Sequence, residues 1–396
     1  GTTSFTPTRT PVQVRDPSGT GYLSGIQEVA GGWYLSLALR NDGTVWTWGD
    51  NRGGALGIGS TQSVSPLPVQ VKDASGNGVL GGIISIASSG GHSLALRRDG
   101  TIWAWGANSL GELGGGVTAL GSSLPVQVLD SAGTGFLSDV VAIAASGGGS
   151  SFALKSDGTV WGWGNNASGQ LGNGTTQTSP LPVQVKDPNG TGFLTDLAAV
   201  SAGLLHAVAL KADGTVWAWG NNESGGLGTG NMIGSTLPVQ VKDASGTGYL
   251  GGIARLHTGG EADDFSFGLA EDGRLWGWGD DALGGLGDGP PQMNQLLPVL
   301  SGIVPGRPVP DAIPPDQGNT LLGVKRASDV LLSWTSVGTS RWQIYDDPDK
   351  SRLGVTPIGS PDLTAQRYVD AGAAMRIAPD YYRVRGLSAC SSTPGP

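Results

Sequence analysis

One repeated stretch constrains this chain more than anything else in it. Asp213-Gly-Thr-Val-Trp-Ala-Trp-Gly-Asn-Asn-Glu-Ser-Gly-Gly-Leu-Gly228 has near copies starting at Asp42, Asp99, Asp157 and Asp272. Successive copies are 57, 58, 56 and 59 residues apart. A period of that length means an array of supersecondary units, each too small to bury a core alone and completed by its neighbours. Paired tryptophans and asparagines that would suggest a ligand site in one copy therefore read as structure when they recur in every unit.

Inside the period the signals are those of short strands. Pro66-Leu-Pro-Val-Gln-Val-Lys72 alternates apolar and polar residues, with prolines at its entrance where a missing N–H is tolerated. A glycine turn over 73–80 follows, then apolar runs at 83–89 and 93–96, the turn Arg98-Asp-Gly100 and the run 101–105. Asp-Gly between alternating runs is a strong hairpin signal. No unit carries a helical period. Each unit is thus expected to hold about four antiparallel strands, opened by the Pro-Val-Gln-Val run.

The tryptophans come in pairs two residues apart: Trp46 and Trp48, Trp103 and Trp105, Trp161 and Trp163, Trp217 and Trp219, Trp276 and Trp278. On a strand both members of a pair face one way, and the small residue between them, Thr47, Ala104, Gly162, Ala218 or Gly277, faces the other. One bulky and one small face per four-stranded unit suits propeller blades packed sheet on sheet.

The segment Gly90-Gly-His-Ser-Leu-Ala-Leu-Arg-Arg-Asp-Gly-Thr-Ile-Trp-Ala-Trp-Gly106, with Pro-Val-Gln-Val before it and Gly-Glu-Leu-Gly114 after it, resembles the regulator of chromosome condensation repeat. The resemblance covers residues 8–300 and recurs in five units. It implies a β-propeller whose ring is closed by strands from both ends of the array, here Thr10-Pro-Val-Gln-Val14 and Leu297-Pro-Val-Leu300. Family rings usually have seven blades, so a five-bladed ring and a ring completed by unrecognised sequence both stay open.

After Gly302 the period stops. Pro305, Pro308, Pro310, Pro314 and Pro315 suggest a stiff linker over 305–319. Val330-Leu-Leu-Ser-Trp334, Arg341-Trp-Gln-Ile-Tyr345 and Tyr381-Tyr-Arg-Val-Arg-Gly386 read as strands, with Val369-Asp-Ala-Gly372 as a turn. This order is similar to a fibronectin type III module. The expected fold is all-β: a repeat propeller over 1–304, the linker, and an immunoglobulin-like sandwich over 320–396.

Charge narrows the partners. Residues 1–308 hold 14 Lys and Arg against 23 Asp and Glu, while the remainder holds 9 of each, so the repeat region carries the whole net charge of −9. An acidic array is unsuited to tracking phosphates, which excludes nucleic acid as the expected partner. No apolar run is long enough for a membrane span. The single cysteine, Cys390, excludes a disulfide framework and a multi-cysteine zinc site. No cofactor, metal or catalytic residue is nominated.

Several residues invite a functional reading and are better explained as structure. Asn165-Asn166 and Asn221-Asn222 suit tight turns in which Asn tolerates positive φ. The turns at Asp16, Asp73, Asp130, Asp187 and Asp243 share one form. Asp187-Pro-Asn-Gly-Thr-Gly192 imitates the start of a calcium loop, but the twelfth position is Ala198 rather than an acid. His92 and His206 share a column with Leu35, Ser150 and Phe265, which is expected to be a packing position. The fifth unit departs from its own rule, with Glu261, Asp263 and Asp264 in place of a short turn and Asp280 and Asp281 close by. Because loops carry function while strands carry packing, these five acids are nominated as an interaction loop.

The function expected is that of a non-enzymatic secreted or cell-surface protein whose propeller loops hold a protein partner, a copy of itself or a glycan. A narrower version makes it part of an extracellular appendage such as a pilus. The alternatives are a polysaccharide-active enzyme using Glu261, Asp263 and Asp264, and a GTPase nucleotide-exchange factor. The second is disfavoured by the acidic balance and the lack of basic segments.

Overall fold

The computed structural model describes residues 11–60, 64–259, 264–289 and 293–301, and the backbone of six strands between 321 and 387. The chain divides into two units, Gly1–Val304 and Pro305–Pro396. In the first, five antiparallel sheets each take four consecutive strands, the arrangement of propeller blades. Blade 1 is β1 (Ile26–Gly31), β2 (Leu35–Arg40), β3 (Val45–Asp50) and β4 (Val64–Gln70). Blades 2 to 5 repeat this order over 83–127, 140–184, 197–240 and 253–300.

The phase of the unit differs from the sequence expectation. The Pro-Leu-Pro-Val run is β4, paired with β3 through Thr47 opposite Val69, so it closes one blade instead of opening the next. Proline explains the placement: a strand whose residues cannot all donate belongs at a sheet edge, where it also discourages further strand addition.

The Asp-Gly hairpin forms as the sequence suggests. Arg40 N–H donates to Thr44 O and Gly43 N–H to Arg40 O, both at 2.9 Å, with Gly43 at φ +79. Asp42 Oδ1 ties the turn by accepting from Thr44 N–H at 3.0 Å and Thr44 Oγ1–H at 2.6 Å. After the second tryptophan of each pair the backbone needs glycine: Gly49 sits at φ +108, and a Cβ there would overlap the Tyr34 carbonyl oxygen. The register between β3 and β4 shifts at this point, between Thr47 and Gly49.

Blades stack through the second tryptophan. Trp105 of blade 2 is fully buried against Leu37, Leu39, Val45, Leu56 and Val71 of blade 1. Its Nε1–H donates to Ala55 O at 3.0 Å. Trp163 to Glu112 O at 2.8 Å, Trp219 to Gln170 O at 2.7 Å and Trp278 to Gly226 O at 2.9 Å repeat the bond at the next three junctions. An indole of this size removes on the order of 200 Å² from water, about 5 kcal/mol of apolar stabilisation per junction. The first tryptophans of the pairs, Trp46, Trp103, Trp161, Trp217 and Trp276, are half-buried.

The two ends of the array lack this contact. Added Cβ atoms at Gly57, Gly114, Gly172 and Gly228 would lie 2.9–3.0 Å from the indole of the following blade, whereas one at Gly287 of blade 5 meets nothing within 4 Å. Leu275 is 37% exposed, while its counterparts Val45, Ile102, Val160 and Val216 are fully buried. On blade 1, Trp48, Leu23 and Ile26 are only half-buried. Closure by strands from both ends of the array is not formed among the described residues: 11–14 lie outside any strand, and every blade is completed by its own fourth strand. Small residues on the inner strands of all five blades, among them Ala30, Ala87, Ala144, Ser201 and Thr258, line a central channel of about 670 Å³.

The second unit forms two three-stranded antiparallel sheets. One contains Leu321–Arg326, Asp329–Trp334 and Arg367–Asp370, the other Pro357–Gly359, Arg341–Asp347 and Tyr381–Leu387. Val369 and Asp370, expected in a turn, stand in a strand opposite Leu331 and Val330. The linker 305–319 and Cys390 lie outside the described residues.

The open end has a measurable consequence. Gly172 (φ +66) and Gly287 (φ +67) share a backbone conformation and differ in what they face. Gly287→Ala is expected to cost only the left-handed penalty of about 1–2 kcal/mol. Gly172→Ala adds overlap with Trp219, for a total of about 3 kcal/mol or more. Urea unfolding of the two variants checks this; equal losses would mean that another surface covers Gly287.

Candidate protein-contact face

Because the strands of a blade alternate in direction, the β1–β2 and β3–β4 loops of every blade emerge at one end and the Asp-Gly hairpins at the other. The hairpin end is regular and holds its acids in its own turns: Asp187 Oδ1, for instance, accepts from Asn189 N–H and Thr191 N–H at 3.1 and 3.0 Å. The departures from the repeat gather at the opposite face.

On blade 1 that face carries Trp33 and Tyr34, 53% and 69% exposed, where the other blades have Gly90 and Gly91, Gly148 and Gly149, Leu204 and Leu205, or Asp263 and Asp264. Trp33 N–H donates to Gly90 O of blade 2 at 3.1 Å, which fixes the loop to its neighbour. The Arg52 guanidinium lies 5.7 Å from the centre of the Tyr34 ring and pairs with Asp50 at 2.6 Å. The Arg52 hydrogen bond holds the Asp50 carboxyl below its usual range, against the opposing effect of burial. These side chains border a cavity of about 390 Å³ floored by Leu35 and Ala55. Trp33, Tyr34 and Arg52 were not nominated from sequence. The signal available was that aromatic residues occupy positions that blades 2 and 3 fill with glycine and no other blade fills with an aromatic.

The nominated acidic loop resolves differently. Glu261 and Asp263 lie outside the described residues. Asp280 caps its own turn, accepting from Ala282 N–H at 2.9 Å. Asp264 and Asp281 are not solvated contact residues. Asp281 is fully buried and stands where the other blades have Asn51, Asn108, Asn166 and Asn222; its Oδ1 accepts from Leu286 N–H at 2.8 Å. Those asparagines act through the same side-chain bond, and none has positive φ, so the expected conformational reason for asparagine is replaced by a hydrogen-bonding one.

Asp264 faces His206 of blade 4, Oδ1 to Nδ1 at 3.2 Å, and Leu205 N–H at 3.3 Å. Burial alone would raise this carboxyl, but the His206 hydrogen bond and charge, with the backbone N–H groups, hold it below its usual range. It therefore stays an anion, and His206 Nδ1 carries a proton toward it. His206 Nε2 lies 2.8 Å from Ser266 Oγ of blade 5.

Acid, imidazole and hydroxyl thus line up in the order used by hydrolytic triads. The hydroxyl is sealed between blades, fully buried and 3.3 Å from the Gly226 carbonyl that also receives Trp278, so no substrate reaches it. The arrangement is an interblade latch. Its counterpart is His92 Nε2 to Ser151 Oγ at 2.9 Å, with Ser151 donating to Glu112 O at 2.9 Å. That bond uses the serine proton, so His92 Nε2–H is the donor. The histidine column expected only to pack is a polar junction where a histidine meets a serine of the next blade. Where blade 4 supplies Ala207, blade 3 has Ser150, which turns back to its own Asn165 O.

Among the described residues no helix is long and apolar enough to cross a membrane. The RCC1-like domain model matches residues 1–311. The chain is 34% identical over 244 residues to the human probable E3 ubiquitin-protein ligase HERC6, covering 60% of this chain and 23% of that protein. It is 28% identical over 218 residues to the ultraviolet-B receptor UVR8 of Arabidopsis thaliana, covering 55% and 46%. The chain therefore spans less than half the length of either relative. The crystal structure of human WBSCR16 shares the fold, with a TM-score of 0.57 at 23% identity over 70% of this chain and 67% of that one.

Burial pushes His92 down to about 4, so the folded state holds it neutral. A histidine with a depressed folded value contributes stability above its unfolded value of about 6.5, and that stability is lost as pH falls from there toward 4. The loss is expected to reach roughly 3 kcal/mol in unfolding free energy. The double variant His92→Ser with Ser151→Ala, which reproduces the Ser150 and Ala207 pairing, should flatten that part of the profile. An unchanged slope would assign it to other groups.

Proposed function

The chain belongs to the RCC1-like domain family, and from that premise we propose that it is a non-enzymatic scaffold that holds a protein partner on the loop face of its propeller. Members of this family mediate protein interaction or act as GTPase exchange factors. The two relatives above, a probable ligase and a light receptor, attach the same repeat region to unrelated activities, as expected of a fold used for contact.

The observation that carries the reading is the Trp33, Tyr34 and Arg52 cluster. Tryptophan, tyrosine and arginine are the residues most enriched at interface hot spots, and here they stand exposed beside a preformed cavity. The loop is anchored by backbone and ion-pair contacts, so little ordering entropy remains to be lost on binding. The acidic balance of the repeat region favours a partner with a basic patch.

Placement outside the cell is part of the proposal and rests on composition: a single cysteine, few lysines, and abundant Gly, Ser and Thr. The second unit, with its two three-stranded sheets, serves in this reading as a fibronectin type III-like spacer or anchor. Membership of an appendage such as a pilus is a narrower version supported by composition alone.

Affinity capture from a native cell-surface fraction, comparing the wild-type chain with Trp33→Ala and Tyr34→Ala, tests the proposal. Each variant should weaken the captured complex by about 2 kcal/mol, roughly thirtyfold in Kd, without shifting the melting temperature. Unchanged affinity in both would move the contact to another face.

A further inference from the structure

The exit turns of the five blades differ in one atom. In each, the side chain at Asn51, Asn108, Asn166, Asn222 or Asp281 accepts through Oδ1 from the N–H five residues on, at 2.8–3.0 Å. The asparagines use their other arm as a donor into a nest of oxygens. Asn51 Nδ2 reaches Ser60 O at 2.9 Å and Asn108 Nδ2 reaches Val117 O at 3.0 Å. Asn166 Nδ2 lies 3.0 Å from Thr175 O and Gln177 O and 3.2 Å from Asn173 Oδ1. Asn222 Nδ2 repeats this toward Asn231 O, Ile233 O and Thr229 Oγ1 at 2.9–3.3 Å.

Blade 5 puts an oxygen where those amides put an N–H. Asp281 is fully buried, and its Oδ2 has no hydrogen-bond partner among the described residues. Seven residues on, where Asn173 and Thr229 stand, Asp288 brings a second carboxylate within hydrogen-bonding reach. Asp288 Oδ1 is also buried without a partner among the described residues, while its Oδ2 accepts from Gln295 Nε2 at 3.0 Å. Among the described residues no lysine, arginine or histidine pairs with either acid. Two neighbouring carboxylates, each with one buried oxygen that accepts no hydrogen bond, need a proton or a cation to balance them.

The geometry points to a calcium site in the exit turn of blade 5, with Asp281 Oδ2 and Asp288 Oδ1 as carboxylate ligands and water completing the shell. All the donors are hard oxygens, and a divalent ion balances both charges where a proton balances one. Two protein carboxylates with water filling the rest of the shell suit calcium, which tolerates variable geometry, better than magnesium, which demands an octahedron. Asp288 is partly exposed and gives the ion a way in. With two carboxylates the affinity falls in the weak range, roughly 10⁻⁴–10⁻³ M. This site is distinct from the five Asp-x-x-Gly turns, whose carboxylates are already occupied by their own turn donors.

The test uses the full chain, stripped with a chelator and then titrated with calcium chloride or magnesium chloride. Melting temperature and calorimetric binding are followed together. Calcium should raise the melting temperature of the wild type with one ion bound per chain, and magnesium should do so weakly. Asp281→Asn restores the amide of the other four turns, so it should fold, melt at or above the metal-free wild type and lose the calcium response. Asp288→Asn should lose it too. Three outcomes overturn the assignment: no calcium shift in the wild type; a shift that survives in Asp281→Asn, which would place the ion in another turn; or stabilisation by mild acid alone without calcium binding, which would mean that the pair shares a proton.

Discussion

Everything in the propeller depends on one bond, from the indole N–H of the second tryptophan to the carbonyl just before a Leu-Gly step in the preceding blade. The indole approaches closely because the glycine after that leucine has no Cβ, and a Cβ there would stand about 3 Å from the ring. The glycine takes positive φ because the exit turn brings it there, and that turn is held by the side chain that accepts the leucine N–H. The repeated stretch is therefore two halves of different contacts. Its tryptophans reach back to the blade before, and its Leu-Gly receives the blade after.

A contact made of a sending and a receiving half leaves one of each unused at the ends of an array. Among the described residues, blade 1 has Trp48 without a receiving turn, and blade 5 has Gly287 without an incoming indole. In such arrays stability is close to a sum over units and nearest-neighbour junctions, so end blades are held by one junction and inner blades by two. The departures from the repeat fall on those ends: Trp33 and Tyr34 on blade 1, Asp281 and Asp288 on blade 5. A blade with one junction to satisfy carries fewer positions whose identity packing dictates, and polar or exposed residues are accommodated there at least cost.

The period, the strand character, the hairpins and the common facing of each tryptophan pair were legible because each rests on local chemistry repeated five times. The phase of the blade was not, because an apolar run between two turns can pair on either side; the prolines of the Pro-Leu-Pro-Val run were the clue that it is an outer edge. Asp264 looked solvated because it sits in an acidic loop, yet its partner His206 is 58 residues away, a distance visible only when the columns of two units are set beside each other. The serine latch is legible in the same way, since His92 and His206 are each followed one period later by Ser151 and Ser266. The exposure of Trp33 was hidden for the opposite reason: in a repeat whose paired tryptophans are half or wholly buried, a further aromatic is read as packing.

The two histidine junctions show what the acid adds. His92 has no carboxylate beside it and stays neutral in a dry junction, donating one bond to Ser151. His206 also meets a serine through Nε2, and in addition its Nδ1 faces Asp264, the residue that ends the irregular loop of blade 5. Gly259 N–H to Phe265 O at 3.0 Å closes the base of that loop. Asp264 is therefore tied to blade 4 through the imidazole and the Leu205 N–H as well as to its own sheet. Any partner contact made by this loop is coupled to the blade 4–blade 5 junction through a single side chain, whereas the Trp33 and Tyr34 corner is tied to blade 2 by one backbone bond. The two ends of the face are thus held by different chemistry, one by a charge-assisted pair that acid removes and the other by a hydrogen bond that no side-chain titration touches.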